Sequence, residues 1–214
     1  MILISDPRVA AVPLDDNGEA LVDLRTVESL AVDSRLADAR GAYAQLREGA
    51  LERLLSAQRA LPRGLRLLVV EAYRPLRLQE SYFDDYRAEL RSRFPAWDEP
   101  RVFEEASKYV SPPAVAPHST GGTIDLTLAG PDGRELDMGT AVNDSPVASG
   151  NACFTAAAHI PAPARRNRYV LGAALRSAGF VNYPTEWWHW SFGDRYWALA
   201  MGAPRTRYGP VDLA

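Results

Sequence analysis

The chain has 214 residues, of which 47% are hydrophobic and 24% charged, and Lys+Arg 24 nearly balance Asp+Glu 27 for a formal charge of -3. This composition suits one ordinary globular core and excludes disordered, collagen-like and coiled-coil chains, while the lack of a long basic run removes the electrostatic footprint of a nucleic-acid binder. No stretch approaches the ~18 apolar residues of a membrane span, and residues 1–7 carry neither the cationic start nor the long apolar run of a secretory leader, so no membrane partner and a cytoplasmic location are expected.

Apolar residues from Leu36 to Leu55 recur at three-and-four spacing, which predicts one long helix from Asp33 or Ser34 to Leu61-Pro62. Residues 65–70 are apolar apart from Arg66 and read as a buried strand leading into Glu71-Ala72-Tyr73-Arg74-Pro75. Helices are expected over about 76–94 and 98–110, the second stopped by Pro112-Pro113. Residues 123–128 alternate, with Ile124, Leu126 and Leu128 on one face and Thr123, Asp125 and Thr127 on the other, so Asp125 points away from the core side. Pro131-Asp132-Gly133 is a turn signal, with residues 134–138 returning as a partner strand.

Residues 140–163 lack periodicity and read as a long irregular loop of the kind that forms binding segments. A last helix is expected over 164–178, burying Tyr169, Leu171 and Leu175 and ended by Gly179. Arg165, Arg166 and Arg168 at its start read as a solvated basic face. Residues 180–183 and 187–192 suggest a strand pair in which Trp187, His189 and Ser191 share a face. The order of elements implies an α+β fold: a single domain over residues 1–214 with a small, mostly antiparallel sheet flanked by helices. Cys153, the sole cysteine, has no base near it in sequence and reads as a packed thiol.

Of three histidines, His118 and His189 lie near carboxylates, in His118-Ser119-Thr120-Gly121-Gly122-Thr123-Ile124-Asp125 and in Glu186-Trp187-Trp188-His189, whereas His159 reads as an ordinary loop residue. A catalytic zinc needs three N or O ligands, an open position for water and a base, and these four side chains would supply that set.

His118-x-x-Gly121-x-x-x-Asp125, then Glu186-x-Trp188-His189, preceded by Tyr73-Arg74-Pro75, resembles the D-alanyl-D-alanine dipeptidase family across about residues 65–197. The resemblance implies one Zn2+ per chain held by His118, Asp125 and His189 on the sheet's polar face. It also implies Glu186 as general base, Arg74 as oxyanion stabiliser and a small unblocked dipeptide such as D-Ala-D-Ala as substrate. An ion pair of Arg74 with Glu71 is the alternative for that arginine.

The chain departs from the family where a Ser two residues before the first histidine is Ala116 and where Thr123 replaces Ala. The position of the family's ammonium-binding Asp holds Asn143, with Asp144 next to it, so Asn143, Asp144 and Tyr73 are the candidate substrate contacts. A carboxypeptidase or endopeptidase acting on muropeptides and a zinc-stabilised binding module without catalysis are the competing functions.

Overall fold

In a computed structural model that describes residues 1–212, the chain opens with a one-turn helix, α1 (Pro7–Ala10), capped by Asp6, whose carboxylate accepts from the Arg8 amide. Strands β1 (Leu21–Asp23), β2 (Ala31–Val32) and β3 (Gln45–Arg47) follow, and β1 pairs antiparallel with β3 as a two-stranded ribbon. Helix α2 (Glu48–Ala60), strand β4 (Arg66–Glu71), helices α3 (Leu76–Arg93) and α4 (Glu99–Ala106) and strand β5 (Thr123–Ala129) form the middle of the chain. The last part contributes α5 (Pro146–Ser149), α6 (Ala162–Ser177), β6 (Val181–Asn182), β7 (His189–Ser191) and α7 (Arg195–Met201).

The main sheet has the order β2-β4-β5-β7-β6 and is antiparallel except for the β2–β4 pair. This is the α+β arrangement expected from the order of elements. Ile124, Leu126 and Leu128 of β5, with Leu67 and Val69 of β4, meet Leu51 and Leu54 of α2 and Leu171 and Leu175 of α6 in the largest apolar cluster. Each such side chain, fully buried, contributes on the order of 1.5–3 kcal/mol. The opposite face of β5 is buried as well. Beyond it α3 and α4 pack through Phe83, Tyr86, Leu90, Val102 and Ala106.

The helix expected from Asp33 or Ser34 forms only from Glu48. Gly41 adopts φ +68, and a Cβ there would lie 2.4 Å from Arg25 Nη2, so chain and guanidinium meet where a helix cannot run. Asp33 and Asp38 accept from the amides of Arg35 and of Arg40 and Tyr43, closing local turns that compete with helix. Tyr43 buries its side chain from a single 3-10 turn, Ala42–Ala44, and Leu46 from β3 instead.

Residues 134–138 return only in part: beyond the 123–125 stretch that pairs with β7, a single bridge links Ala129 and Glu135 and the Leu136 amide donates to Leu128 O at 2.8 Å, but no strand extends from it. The Pro131-Asp132-Gly133 turn does form, with the Gly133 amide donating to Gly130 O at 3.0 Å. On α6, Leu171 and Leu175 are buried but Tyr169 is 72% exposed, and Arg168 turns inward while only Arg165 and Arg166 stay on the solvent side. Residues 184–188 turn rather than extend, so alternation begins only at His189, and Trp187 joins Trp188 and Trp190 in the core instead of sharing the His189 face. Helix α7 lies beyond the last helix expected; Asp194 caps it by accepting from the Trp197 amide at 2.8 Å.

Candidate metal centre and its cavity

Sheet register builds the site. Asp125 stands opposite His189 in the β5–β7 pair and opposite Glu71 in the β4–β5 pair, so three adjacent strands carry an acid, an acid and an imidazole in one row. His118 enters from a single 3-10 turn, His118–Thr120, ended by Gly121 with φ +70. A Cβ on Gly121 would come within 2.4 Å of Leu21 Cδ2, and one on Gly122 within 2.2 Å of Phe192 O. Only a glycine pair lets the turn drop His118 beside the strand that bears Asp125.

The His118 Nδ1–H donates to Ala72 O at 2.6 Å, which leaves the Nε2 lone pair facing inward. His118 Nε2 lies 3.3 Å from His189 Nδ1 and 3.4 Å from Asp125 Oδ1, and His189 Nδ1 lies 3.1 Å from the same oxygen. These separations match the edges, roughly 3.3 Å, of a tetrahedron drawn at a metal–ligand distance of about 2.0–2.1 Å. Asp125 Oδ1 is buried with no hydrogen bond of acceptable geometry, so three electron-pair donors converge with nothing but a cation to reconcile them. The donor set, two imidazoles and one carboxylate, is the type that a catalytic zinc takes. The residues therefore fit the metal.

Glu186, in the turn before β7, brings Oε2 to 3.5 Å from His189 Nδ1. Burial, and then the negative charge of Asp125, push the Glu186 carboxyl well above the usual carboxylate range, against the opposing pull of Arg74. Burial also pushes Asp125 up, but the two imidazoles of His118 and His189 crowded against it outweigh burial and hold Asp125 well below that range. The pair thus splits into one carboxyl held ionised and one poised to take a proton.

Arg74 follows β4 and makes the ion pair weighed as the alternative for it. Its Nε and Nη2 grip the two oxygens of Glu71, Nη1 donates to Gln79 Oε1 at 2.7 Å, and the side chain still lines the cavity. Three of the five guanidinium N–H groups are used, which leaves two. Gln79 in turn donates to Ser111 O at 2.7 Å. Glu71 entered the reading of the sequence only as a partner for Arg74, and Gln79 escaped it; Gln79 falls on the α3 face that also carries the wall residues Tyr82 and Tyr86, a spacing that marks it only once the cavity is known.

His118, Asp125, Glu186, His189 and Arg74 line one cavity of about 420 Å³. Asn143 lines it too, from a left-handed backbone with φ 68, its carbonyl accepting from Tyr109 Oη at 2.6 Å. Asp144 and Tyr73 are not in the wall: Asp144 Oδ2 accepts from the Ala141 amide at 2.9 Å, and Tyr73 Oη donates to Val211 O at 2.8 Å. His159 is exposed, and Cys153 is buried with its thiol pushed up to about 11 by that burial.

The model of the D-ala-D-ala dipeptidase family matches residues 39–203. The chain is 31% identical over 216 residues to the D-alanyl-D-alanine dipeptidase of Synechocystis, covering 88% of this chain and 87% of that one. It is 33% identical over 126 residues to the D-alanyl-D-alanine dipeptidase of Escherichia coli, covering 59% and 54%. Among solved structures it is similar to a zinc-bound mutant of the vancomycin resistance D,D-pentapeptidase VanY, with 15% identity, a TM-score of 0.37, and coverage of 80% of this chain and 87% of that one.

Proposed function

The chain belongs to the D-ala-D-ala dipeptidase family, and from that premise we propose that it is a zinc metallopeptidase hydrolysing D-Ala-D-Ala or a similar small unblocked dipeptide, with residues 1–214 acting as one domain. The observation that carries this reading is the meeting of His118 Nε2, Asp125 Oδ1 and His189 Nδ1 at 3.1–3.4 Å separations beside a buried Glu186. His118, Asp125 and His189 would hold one zinc. The chemistry supplied there is Lewis acidity, which brings the pKa of water toward ~7 and polarises a carbonyl.

Glu186 takes the proton of the attacking water and passes it to the departing amine. A carboxyl raised by burial is suited to both halves of that task, since it holds a proton at a pH where an exposed carboxylate releases it. Arg74 offers its two remaining N–H groups to the negative charge growing on the carbonyl oxygen, and Glu71 and Gln79 keep the guanidinium from turning. Asn143 contacts the substrate from the wall, whereas Asp144 and Tyr73 act at a distance by holding the 141 and 211 segments. The proposed setting is the cytoplasm and turnover of cell-wall peptides. None of the described helices is long and apolar enough to cross a membrane.

Amine release from free D-Ala-D-Ala, its L-isomers, N-acetylated dipeptides and longer peptides, with and without chelator, tests the reading. Chelator-sensitive cleavage confined to unblocked dipeptides is expected. Cleavage of capped or longer peptides would replace the dipeptidase with a carboxypeptidase or endopeptidase, and bound zinc without hydrolysis would leave only a binding module.

A further inference from the structure

Burying a guanidinium away from any carboxylate is costly unless every N–H finds an acceptor. Arg168 of α6 is 5% exposed, and its three hydrogen bonds all end on main-chain carbonyls: Nε to Met138 O at 2.7 Å, Nη1 to Phe154 O at 2.8 Å and Nη2 to Ala152 O at 2.9 Å. Burial pushes its pKa down to about 10. Those carbonyls lie near the two ends of the segment 138–157, which carries Asn143 at the cavity wall.

The same segment is sewn to the turn that presents Glu186. Trp187 Nε1 donates to Thr140 Oγ1 at 2.8 Å, and the Trp187 amide donates to Cys153 O at 3.1 Å. The Thr155 amide donates to Pro184 O at 3.0 Å, and its hydroxyl to Asn182 Oδ1 at 2.6 Å. Arg168 completes the seam from behind, with its guanidinium carbon 5.4 Å from the centre of the Trp187 ring. None of the three metal-facing side chains belongs to this segment.

We propose that Arg168 is a positioning residue: by pinning both ends of the 138–157 segment and packing on Trp187, it holds the substrate wall at Asn143 and the carboxyl of Glu186 in one fixed relation. Cost and geometry explain why a cation stands there. A Met or Leu would fill the space, but only a planar fork reaches three carbonyls on divergent strands of a loop. The kinetic consequence rests on the hydrolase reading given above; the mechanical one does not.

Arg168→Met and Arg168→Lys in the full chain test the proposal. Arg168→Met is expected to keep one zinc per chain and its folded signature while kcat/KM on an unblocked dipeptide falls about 10–100-fold, the scale of a catalytic group displaced by about 1 Å. KM should rise at least about fivefold within that loss, because a smaller folded fraction would lower apparent kcat and leave KM alone. Amide hydrogen exchange should quicken over residues 138–157 and 184–187 with β5 unchanged, and Arg168→Lys should recover part of both effects. Unchanged KM, a loss matching lost zinc or lost fold, or unchanged exchange would each overturn the proposal. If the parent chain shows no hydrolysis, the dipeptidase reading fails on its own, and the exchange comparison still decides whether Arg168 pins the segment.

Discussion

Glu186→Gln removes one ionisable oxygen from the cavity and almost nothing else. The side chain keeps its length and its buried place, and the three atoms that face the metal position belong to other residues. No neighbouring carboxyl can stand in for the lost base. Asp125 Oδ1 is committed between two imidazoles at 3.1 and 3.4 Å, and Glu71 is gripped at both oxygens by Arg74. The remaining acids of the wall, Asp85 and Glu89, are exposed on α3. The full value of a positioned base should therefore be lost: about 10²–10⁴-fold in kcat, or roughly 3–5 kcal/mol of barrier. Steady-state amine release on D-Ala-D-Ala gives kcat and KM, and elemental analysis of the dialysed protein gives zinc per chain. A variant that keeps more than about a tenth of the parent kcat, or that loses its zinc, would refute the assignment of Glu186 as base.

Three further outcomes follow from the same geometry. Glu71→Gln breaks a buried ion pair from one side, so it should cost about 3–5 kcal/mol in urea unfolding and lower kcat by freeing Arg74 to turn; equal stability would show that the pair is not what holds the guanidinium. Leu54→Ala empties a fully buried position between α2 and the sheet and should cost about 2–5 kcal/mol while turnover per folded molecule stays constant. Burial raises Glu19, but bonds from Tyr208, Arg207 and the Gly49 amide prevail and hold it at about 2 against an ordinary 4.5. Its folded pKa is depressed, so its stabilisation is present above pH 4.5 and lost as pH falls toward 2. Glu19→Gln should accordingly destabilise at pH 7 and far less near the acid end of that range, and an equal loss at both would contradict the linkage.

Local rules carried the sequence reading a long way. The apolar run of β4, the alternation of β5 and the glycine end of α6 are decided within a few residues of themselves, so period and turn chemistry are enough to find them, whereas α4 ends at Ala106, before the prolines expected to stop it. The chemistry-bearing residues were legible for a different reason: His, Asp and Glu at odds with an apolar neighbourhood, in motifs whose order matches a family.

What failed depended on partners far along the chain. Tyr43 and Leu46 have helical spacing, yet β3 is taken by β1, twenty-odd residues upstream, and no window short enough to show a period contains both. Arg168 looked like one of three surface arginines until carbonyls at 138, 152 and 154 were found around it. The row of Glu71, Asp125 and His189 exists only through the register of three strands far apart along the polypeptide. Composition, period and motif thus determined the α+β class and the residue types of the site, because each is a local property of the chain. Register, the inward turn of a charged side chain and the distances among the site residues were left to tertiary packing, because burial is set by whichever distant segment arrives to cover it.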